Sequence, residues 1–242
     1  MSEKVLRHDE GGLCTLTLNR PDKLNALDTD TFEQLDAHLA ALEQQTATIG
    51  CVVLRGAGRG FCAGADLGAV TTTLGLFKPK VIQRLQSLPQ PTVSAVHGVC
   101  ITGALELALA CDFIVAEAGA RFADTHGKWG LVGSWGMSQR LPRRIGAARA
   151  KRMMFTARMV GAEEALDLGL IDLLAEAGGL NALVETFTAE ILANSWHTNI
   201  ETKKLMVQTE GMPLDEALAH EQYHYPGFAA DFEERVSNFA KK

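Results

Sequence analysis

The sequence predicts an α/β core followed by a helical C-terminal region. Stretches typical of strands alternate with stretches typical of helices up to about residue 175, and only helical patterns follow. This alternation is characteristic of α/β folds. The chain has 242 residues, of which 47% are hydrophobic. That is enough to bury a large core in one domain, or in one domain with an appendage.

The first half of the chain contains three stretches with strand character. Residues 13–18 alternate apolar and polar side chains, as a half-buried strand does, and residues 49–54 and 93–96 are short apolar runs. Between the first two, the N-cap candidates at 28–30 precede apolar residues at helical spacing: Phe32, Leu35, Leu39 and Leu42. A further helix is expected over residues 81–88, after Pro79.

The second half of the chain begins with the pattern of a buried helix over residues 103–112, followed by a strand at 113–115. Residues 122–136 hold four glycines and two tryptophans, a loop-rich composition that suits a pocket wall. The remaining stretches are helical in pattern and cover residues 138–154, 161–171, 180–194, 200–208, 213–223 and 231–239.

Charge and cysteine content exclude several classes of function. The net charge of −6 and the pI near 5.7 argue against a nucleic-acid-binding or membrane-binding surface. Five cysteines without a C-x-x-C pair indicate reduced, buried thiols. No signal peptide or membrane span is recognisable, so the cytoplasm is the expected location.

One region has an uneven charge distribution. No Asp or Glu occurs between residues 67 and 105, whereas Lys78, Lys80 and Arg84 fall inside this interval. The three bases could steer an anionic ligand, or they could form an ordinary solvated helix face.

Several motifs of known chemistry are incomplete. Residues 58–63 fit G-x-G-x-x-A after a strand, but the acidic residue expected about 20 residues later is missing, which argues against a nicotinamide or flavin site. The nucleophile-elbow and phosphate-loop patterns are also absent from the sequence. His220 and His224 have a spacing that can chelate zinc but lack a third ligand, so no metal is expected.

Glu106 is the first candidate catalytic residue. It is the only polar side chain among the apolar residues of the predicted helix at 103–110, and burial raises the pKa of a carboxyl toward the range useful for proton transfer. Gly103 lies one turn earlier, where a free backbone N–H could receive a developing oxyanion. The alternative is a structural Glu106 paired with an Arg or Lys, with Gly103 as a packing glycine.

Several motifs together resemble the enoyl-CoA hydratase/isomerase (crotonase) superfamily. The central ones are FCAGADL at 61–67, AVHG at 95–98, GALELA at 103–108 and ACD at 110–112. Supporting motifs occur in the expected order over nearly the whole chain: LNRP at 18–21, LNAL at 24–27, QRLPR at 139–143, IG at 145–146, EEALDLGLID at 163–172 and DFEERVSNF at 231–239.

The resemblance implies a fold and an assembly. It predicts a spiral of β-β-α units over residues 1–180 and a helical region over residues 181–242 that drives formation of a homotrimer or a dimer of trimers. It implies an acyl-CoA substrate, with coenzyme A as part of the thioester and no other cofactor. The expected partners exclude nucleic acid and membrane.

The resemblance also assigns roles to individual residues. An oxyanion hole is expected at the backbone N–H groups of Ala65 and Gly103, which would polarise the thioester carbonyl. The positions that correspond to CoA contacts in the family are Lys23, Leu24, Ala63, Ala65 and Leu67.

The second catalytic position departs from the family pattern. Hydratases of this family hold the added water between two glutamates, the first of which matches Glu106. The second should lie four residues after Phe122, where this chain has His126. A neutral His126 could orient the water and a protonated one could deliver a proton to Cα. The glycine-rich run that follows contains Trp135, whose indole could reshape the acyl pocket.

The sequence therefore predicts an acyl-CoA enzyme, with hydration of an enoyl-CoA as the leading reaction. Glu106 would act as general base and His126 as orienting group or acid. Isomerisation, dehalogenation, decarboxylation and retro-aldol cleavage of acyl-CoA thioesters use the same oxyanion hole and stay open as alternatives. A non-catalytic acyl-CoA-binding protein is a further alternative, although it would gain nothing obvious from a buried carboxylate.

Overall fold

Two β-sheets organise the fold. The structure is a computed structural model that describes residues 3–66, 68 and 75–239. The strands in this part of the chain are β1 (Val5–Glu10), β2 (Leu13–Leu18), β3 (Cys51–Gly56), β4 (Thr92–Val96), β5 (Val99–Ile101), β6 (Phe113–Glu117), β7 (Arg121–Ala123), β8 (Val160–Gly161) and β9 (Leu173–Ala175). The α-helices are α1 (Thr29–Leu42), α2 (Phe77–Gln86), α3 (Gly103–Ala108), α4 (Met137–Ile145), α5 (Ala147–Thr156), α6 (Ala162–Asp167), α7 (Leu180–Ala193), α8 (Trp196–Thr209), α9 (Leu214–Tyr223) and α10 (Phe232–Phe239).

The chain passes alternately through the two sheets. The larger sheet has the order β1-β2-β3-β4-β6-β9, and its pairs are parallel except for β1 with β2. The smaller sheet has the order β5-β7-β8. Strands β4 and β6 of the large sheet are each followed by a strand of the small sheet and then by a helix. This winding is the predicted spiral of β-β-α units, and the predicted fold class is confirmed.

The core lies between the large sheet and the helices that follow its strands. In β2 the residues Cys14, Leu16 and Leu18 are buried in this core, because alternate residues of a strand face the same side. The predicted apolar face of α1 packs into the same cluster. Helix α7 packs against β3, β4, β6 and β9, where a second cluster of buried side chains forms.

Some boundaries differ from those expected. The helix beginning at Gly103 ends at Ala108, before the expected residue 112, and α2 begins at Phe77, so that Pro79 lies in its first turn, where proline is tolerated. The sequence did not predict β1 or the short strands β5, β7, β8 and β9. The four short strands have only two or three residues each, too few for a recognisable alternation.

The last three helices differ from the rest of the fold because they contain no buried residue within their described spans. Helix α8 is joined to the core by Lys203, whose Nζ donates to the Gln90 carbonyl at 2.9 Å and to Asp112 Oδ2 at 2.7 Å. No helix in the described ranges has both the length and the apolar character required to cross a bilayer.

Candidate active site

The candidate site begins where the segment after β2, residues 19–28, is hydrogen-bonded to the loop after β3, residues 57–66. Backbone hydrogen bonds join Ala63 N to the Leu24 carbonyl at 2.9 Å and Asp66 N to the Leu27 carbonyl at 2.9 Å. Buried Asn25 stabilises this junction: its Nδ2 donates to three carbonyls of residues 57–61, at 2.8–3.1 Å. The predicted CoA contacts Leu24, Ala63 and Ala65 are therefore adjacent.

The two remaining predicted CoA contacts are Lys23 and Leu67, of which only Lys23 lies among the described residues. Lys23 is exposed at the end of a short 3-10 helix, Pro21–Lys23, that precedes Leu24. Leu67 lies outside the described residues. Asp66 accepts from Gly68 N at 3.2 Å and pairs with Arg20 at 3.1 Å.

The amides of Ala65 and Gly103 lie side by side. A Cβ added at Gly103 would be 3.3 Å from Ala65 N, and one added at Gly64 would be 3.4 Å from Gly103 N. Neither N–H donates a hydrogen bond to any described residue. Two adjacent backbone donors without acceptors can bind one oxygen that develops negative charge.

The backbone at Thr102 fixes the direction of the Gly103 amide. Thr102 has φ 56° and ψ −113°, a conformation that a β-branched residue rarely adopts. Hydrogen bonds hold it there: its N–H donates to the Ala123 carbonyl at 2.8 Å, and its Oγ1 accepts from Thr125 N at 3.1 Å and lies 2.5 Å from Thr125 Oγ1. Strained residues of this kind concentrate at functional sites.

Glu106 lies one turn after Gly103 and is fully buried. Its Oε1 accepts from the backbone N–H groups of Trp135 at 3.0 Å and Met137 at 2.9 Å. Its Oε2 accepts no hydrogen bond from the described residues, and His126 Nε2, which is charged when the ring is protonated, lies 3.8 Å away. Within the described ranges no Arg or Lys forms an ion pair with Glu106, so the structural alternative considered above lacks its partner.

His126 is brought to Glu106 from the end of β7. Its other ring nitrogen, Nδ1, lies 2.6 Å from Oδ1 of Asp124, and the same oxygen accepts from the His126 backbone N–H at 3.1 Å. Asp124 is buried, at 3% exposure. With Asp124 accepting from Nδ1–H, Nε2 faces Glu106. The site is thus a row of three titratable groups, Asp124, His126 and Glu106.

Sequence reasoning missed Asp124. The available signal was its position two residues before His126, which allows one carboxylate to accept from both the backbone and the ring of the histidine. The backbone donors at Trp135 and Met137 could not be found from residue types, because every residue except proline has a backbone N–H to offer.

The electrostatics of the site raise two pKa values. Burial raises the pKa of Glu106, and the hydrogen bond from Met137 N–H and the charge of His126 oppose this only in part. Burial lowers the pKa of His126, but the hydrogen bond to Asp124 and the charges of Asp124 and Glu106 outweigh it, so the pKa is raised. The charges of an ionised Glu106 carboxylate and a protonated His126 imidazole stabilise each other, which suits a pair made of a base and an acid.

Other candidate groups are not part of this site. All five cysteines are free and buried, and burial raises the pKa of the Cys62 and Cys111 thiols to about 12, so they stay protonated. His220 and His224 stack with ring centroids 4.0 Å apart instead of converging on a common point. In the part of the chain that the structure describes, no three His, Cys, Asp or Glu residues are grouped to hold a metal ion.

Comparisons with known proteins identify the family of the chain. The family model of enoyl-CoA hydratase/isomerase matches residues 8–242. A short-chain-enoyl-CoA hydratase of Clostridium acetobutylicum is 32% identical over 225 residues, 90% of this chain and 86% of the relative. A 1,2-epoxyphenylacetyl-CoA isomerase of Escherichia coli is 33% identical over 255 residues, 100% of this chain and 97% of the relative.

Solved structures agree as well. The crystal structure of an enoyl-CoA hydratase from Bacillus anthracis superposes with a TM-score of 0.93 at 28% identity, over 98% of this chain and 96% of that chain. The match extends from the spiral into the C-terminal helices. The chain belongs to the enoyl-CoA hydratase/isomerase family.

Proposed function

We propose that this protein hydrates the α,β-double bond of an enoyl-CoA thioester. The observation that carries the proposal is the buried Glu106 Oε2, which has no donor among the described residues and lies 3.8 Å from His126 Nε2, one helical turn from the Gly103 amide. A water bound between Oε2 and Nε2 would be held next to the β-carbon of a thioester. Relatives named as enoyl-CoA hydratases support this reaction.

In the proposed mechanism the Ala65 and Gly103 amides bind the thioester oxygen. Glu106 removes a proton from water as the water oxygen bonds to the β-carbon, and the electrons of the double bond form an enolate. Protonated His126 then donates its Nε2 proton to the α-carbon. Transfer of the proton from Glu106 to His126 restores both groups. Losing one oxyanion donor typically costs about 10²–10³ in rate.

The CoA part of the substrate is proposed to lie along the junction of the two loops. Leu24, Ala63 and Ala65 line this junction. Exposed Lys23 stands beside them, with a charge suited to a phosphate of CoA. We also assign Leu67 to this contact, from the family pattern.

Double-bond isomerisation is the second candidate. It is favoured by the replacement of the second carboxylate by His126, and the family model that matches the chain covers isomerases as well as hydratases. In that reaction the same two residues would move a proton between carbons, and no water would be added.

An assay with purified protein and crotonyl-CoA tests the proposal. We expect loss of the conjugated enoyl absorbance and a product heavier by one water in mass spectrometry. Longer and aromatic enoyl-CoAs extend the assay to other acyl groups. A product of unchanged mass with a shifted double bond would favour isomerisation. Binding of CoA esters without any turnover would favour the non-catalytic alternative.

The protein is further proposed to assemble as a homotrimer or a dimer of trimers through residues 181–242. This region exposes large apolar side chains, including Leu214 at 75%, Phe228 at 69% and Phe239 at 83%. Exposed apolar surface of this extent usually marks a protein contact. Light scattering after size exclusion is expected to give three or six times the chain mass of 26.1 kDa. A single-chain mass at all concentrations would contradict this expectation.

A further inference from the structure

The side chain of Trp135 takes no part in the proposed reaction, yet it lies inside the site. A Cβ added at Gly103 would be 2.5 Å from Cζ3 of the indole and 3.3 Å from Ala65 N. The edge of the six-membered ring therefore lies beside both oxyanion amides. The backbone N–H of the same residue donates to Glu106 Oε1 at 3.0 Å. Trp135 thus borders the path between the oxyanion hole and the base.

The indole is fixed in this position from two sides. Phe32 meets it edge to face, with ring centroids 5.0 Å apart and an interplanar angle of 75°, which is a favourable aromatic geometry. Phe32 is itself 1% exposed, so the ring against which the partly exposed indole packs is held in the core. Lys78 Nζ lies 5.7 Å from the Phe32 ring and 5.9 Å from the Trp135 ring, within the range of cation–π attraction.

The backbone of Trp135 is fixed as well. Its carbonyl accepts from Arg140 at 2.6 Å, and Arg140 donates through its other nitrogens to Gln86 of α2 at 2.7 and 3.0 Å. Both the ring and its attachment point are therefore held by neighbours that are already packed. The Trp135 indole therefore cannot move aside without breaking several of these contacts.

We propose that Trp135 is a specificity-determining residue that closes the acyl pocket and restricts this enzyme to short-chain enoyl thioesters. The inference rests on the proposed function. A thioester whose oxygen binds the Ala65 and Gly103 amides and whose β-carbon faces Glu106 extends its acyl group past the indole. Each further methylene would then collide with a packed aromatic ring. A pocket typically discriminates between substrates that differ by one methylene by about 10-fold or more in kcat/KM.

The central test is Trp135→Ala with straight-chain 2-enoyl-CoAs of four to ten carbons. Alanine keeps the backbone N–H, so the hydrogen bond to Glu106 is retained. In the unmodified enzyme kcat/KM is expected to fall at least about 10-fold between the four-carbon and eight-carbon substrates. In Trp135→Ala the eight-carbon value should rise at least about 10-fold relative to the four-carbon value. Trp129→Ala removes a 58% exposed indole from the same loop and should leave the profile unchanged.

A second readout does not depend on turnover. The dissociation constants of saturated acyl-CoAs of the same lengths are expected to decrease with chain length in Trp135→Ala. In the unmodified protein no such decrease is expected. If this holds while no enoyl-CoA is hydrated, only the proposed reaction fails. If crotonyl-CoA is hydrated and both profiles are the same in the two proteins, the inference about Trp135 is wrong. Should Trp135→Ala fold poorly, Trp135→Phe is expected to give a smaller shift in the same direction.

A double substitution tests the contact itself. Gly103→Ala should weaken binding of acyl-CoA, because its methyl group would lie 2.5 Å from Cζ3 of Trp135 and displace the ring. In Gly103→Ala/Trp135→Ala the collision partner is absent, so much of that loss should be recovered. Purely additive losses would show that the indole does not border the Gly103 amide, and would overturn the inference.

Discussion

Replacing Glu106 by glutamine is expected to reduce kcat for enoyl-CoA hydration by at least about 10²-fold, the usual contribution of a general base. Glutamine has nearly the same shape, and its side-chain oxygen can still accept from the backbone N–H groups of Trp135 and Met137. The substitution therefore removes the charge of the carboxylate and leaves its structural contacts in place. Steady-state kinetics with crotonyl-CoA measure the effect.

Thermal unfolding supplies the control for Glu106→Gln. The melting temperature should be unchanged or higher, because a neutral amide costs less to bury than a carboxylate. A variant that keeps full activity would remove Glu106 from the mechanism. Activity that survives in His126→Ala while Glu106→Gln is inactive would show that one base suffices.

Replacing Asp124 by asparagine is expected to lower kcat by about 10²-fold and to change the pH profile. Asp124 accepts from both the ring and the backbone of His126, at 2.6 and 3.1 Å, so its carboxylate raises the pKa of the histidine and fixes which nitrogen faces Glu106. Without this charge the pKa of His126 falls. The neutral imidazole can then adopt the other tautomer, which carries its hydrogen on Nε2 instead of Nδ1.

The direction of the pH shift follows from the roles of the two groups. Glu106 must be ionised, so activity is lost as pH falls through its pKa, which burial raises from its ordinary value. His126 must be protonated, so activity is lost as pH rises through its raised pKa. In Asp124→Asn the alkaline limb of kcat/KM should move to lower pH, and the acid limb should move less.

The control for this profile is Asp9→Asn. Asp9 pairs with Arg7 on strand β1 and has no contact with the site residues. Its pH profile should match that of the unmodified enzyme. If the alkaline limb of Asp124→Asn stays in place, His126 does not supply the acid, and hydration would depend on Glu106 alone.

Several parts of the site could be predicted from the sequence because they rest on local patterns. Glu106 stands out as one carboxylate in an apolar helix, and burial follows from that pattern directly. Gly103 and Ala65 were predicted from short motifs, and the structure brings their amides together. Leu13–Leu18 was predicted with its observed bounds, because alternation over six residues is a clear strand signal.

Other features depend on contacts between distant parts of the chain. Asp124 gains importance only because β7 places His126 within 3.8 Å of Glu106. Trp135 could be noticed as a large side chain in a glycine-rich loop, but its position against Gly103 and Phe32 follows from packing. The strands β5 and β7 carry too few residues to show a pattern, although their pairing holds Thr102 and Thr125 together.

The sequence by itself determined the α/β class, the family and the identity of the buried carboxylate, because hydrophobic periodicity and short motifs are local properties of the chain. The tertiary structure alone decided which oxygen of Glu106 accepts no hydrogen bond from the described residues, that Asp124 holds His126, and that an indole borders the oxyanion amides. These features depend on where backbone donors and rings from separate loops meet. Residue spacing along the chain does not encode such distances, and only the packed core fixes them.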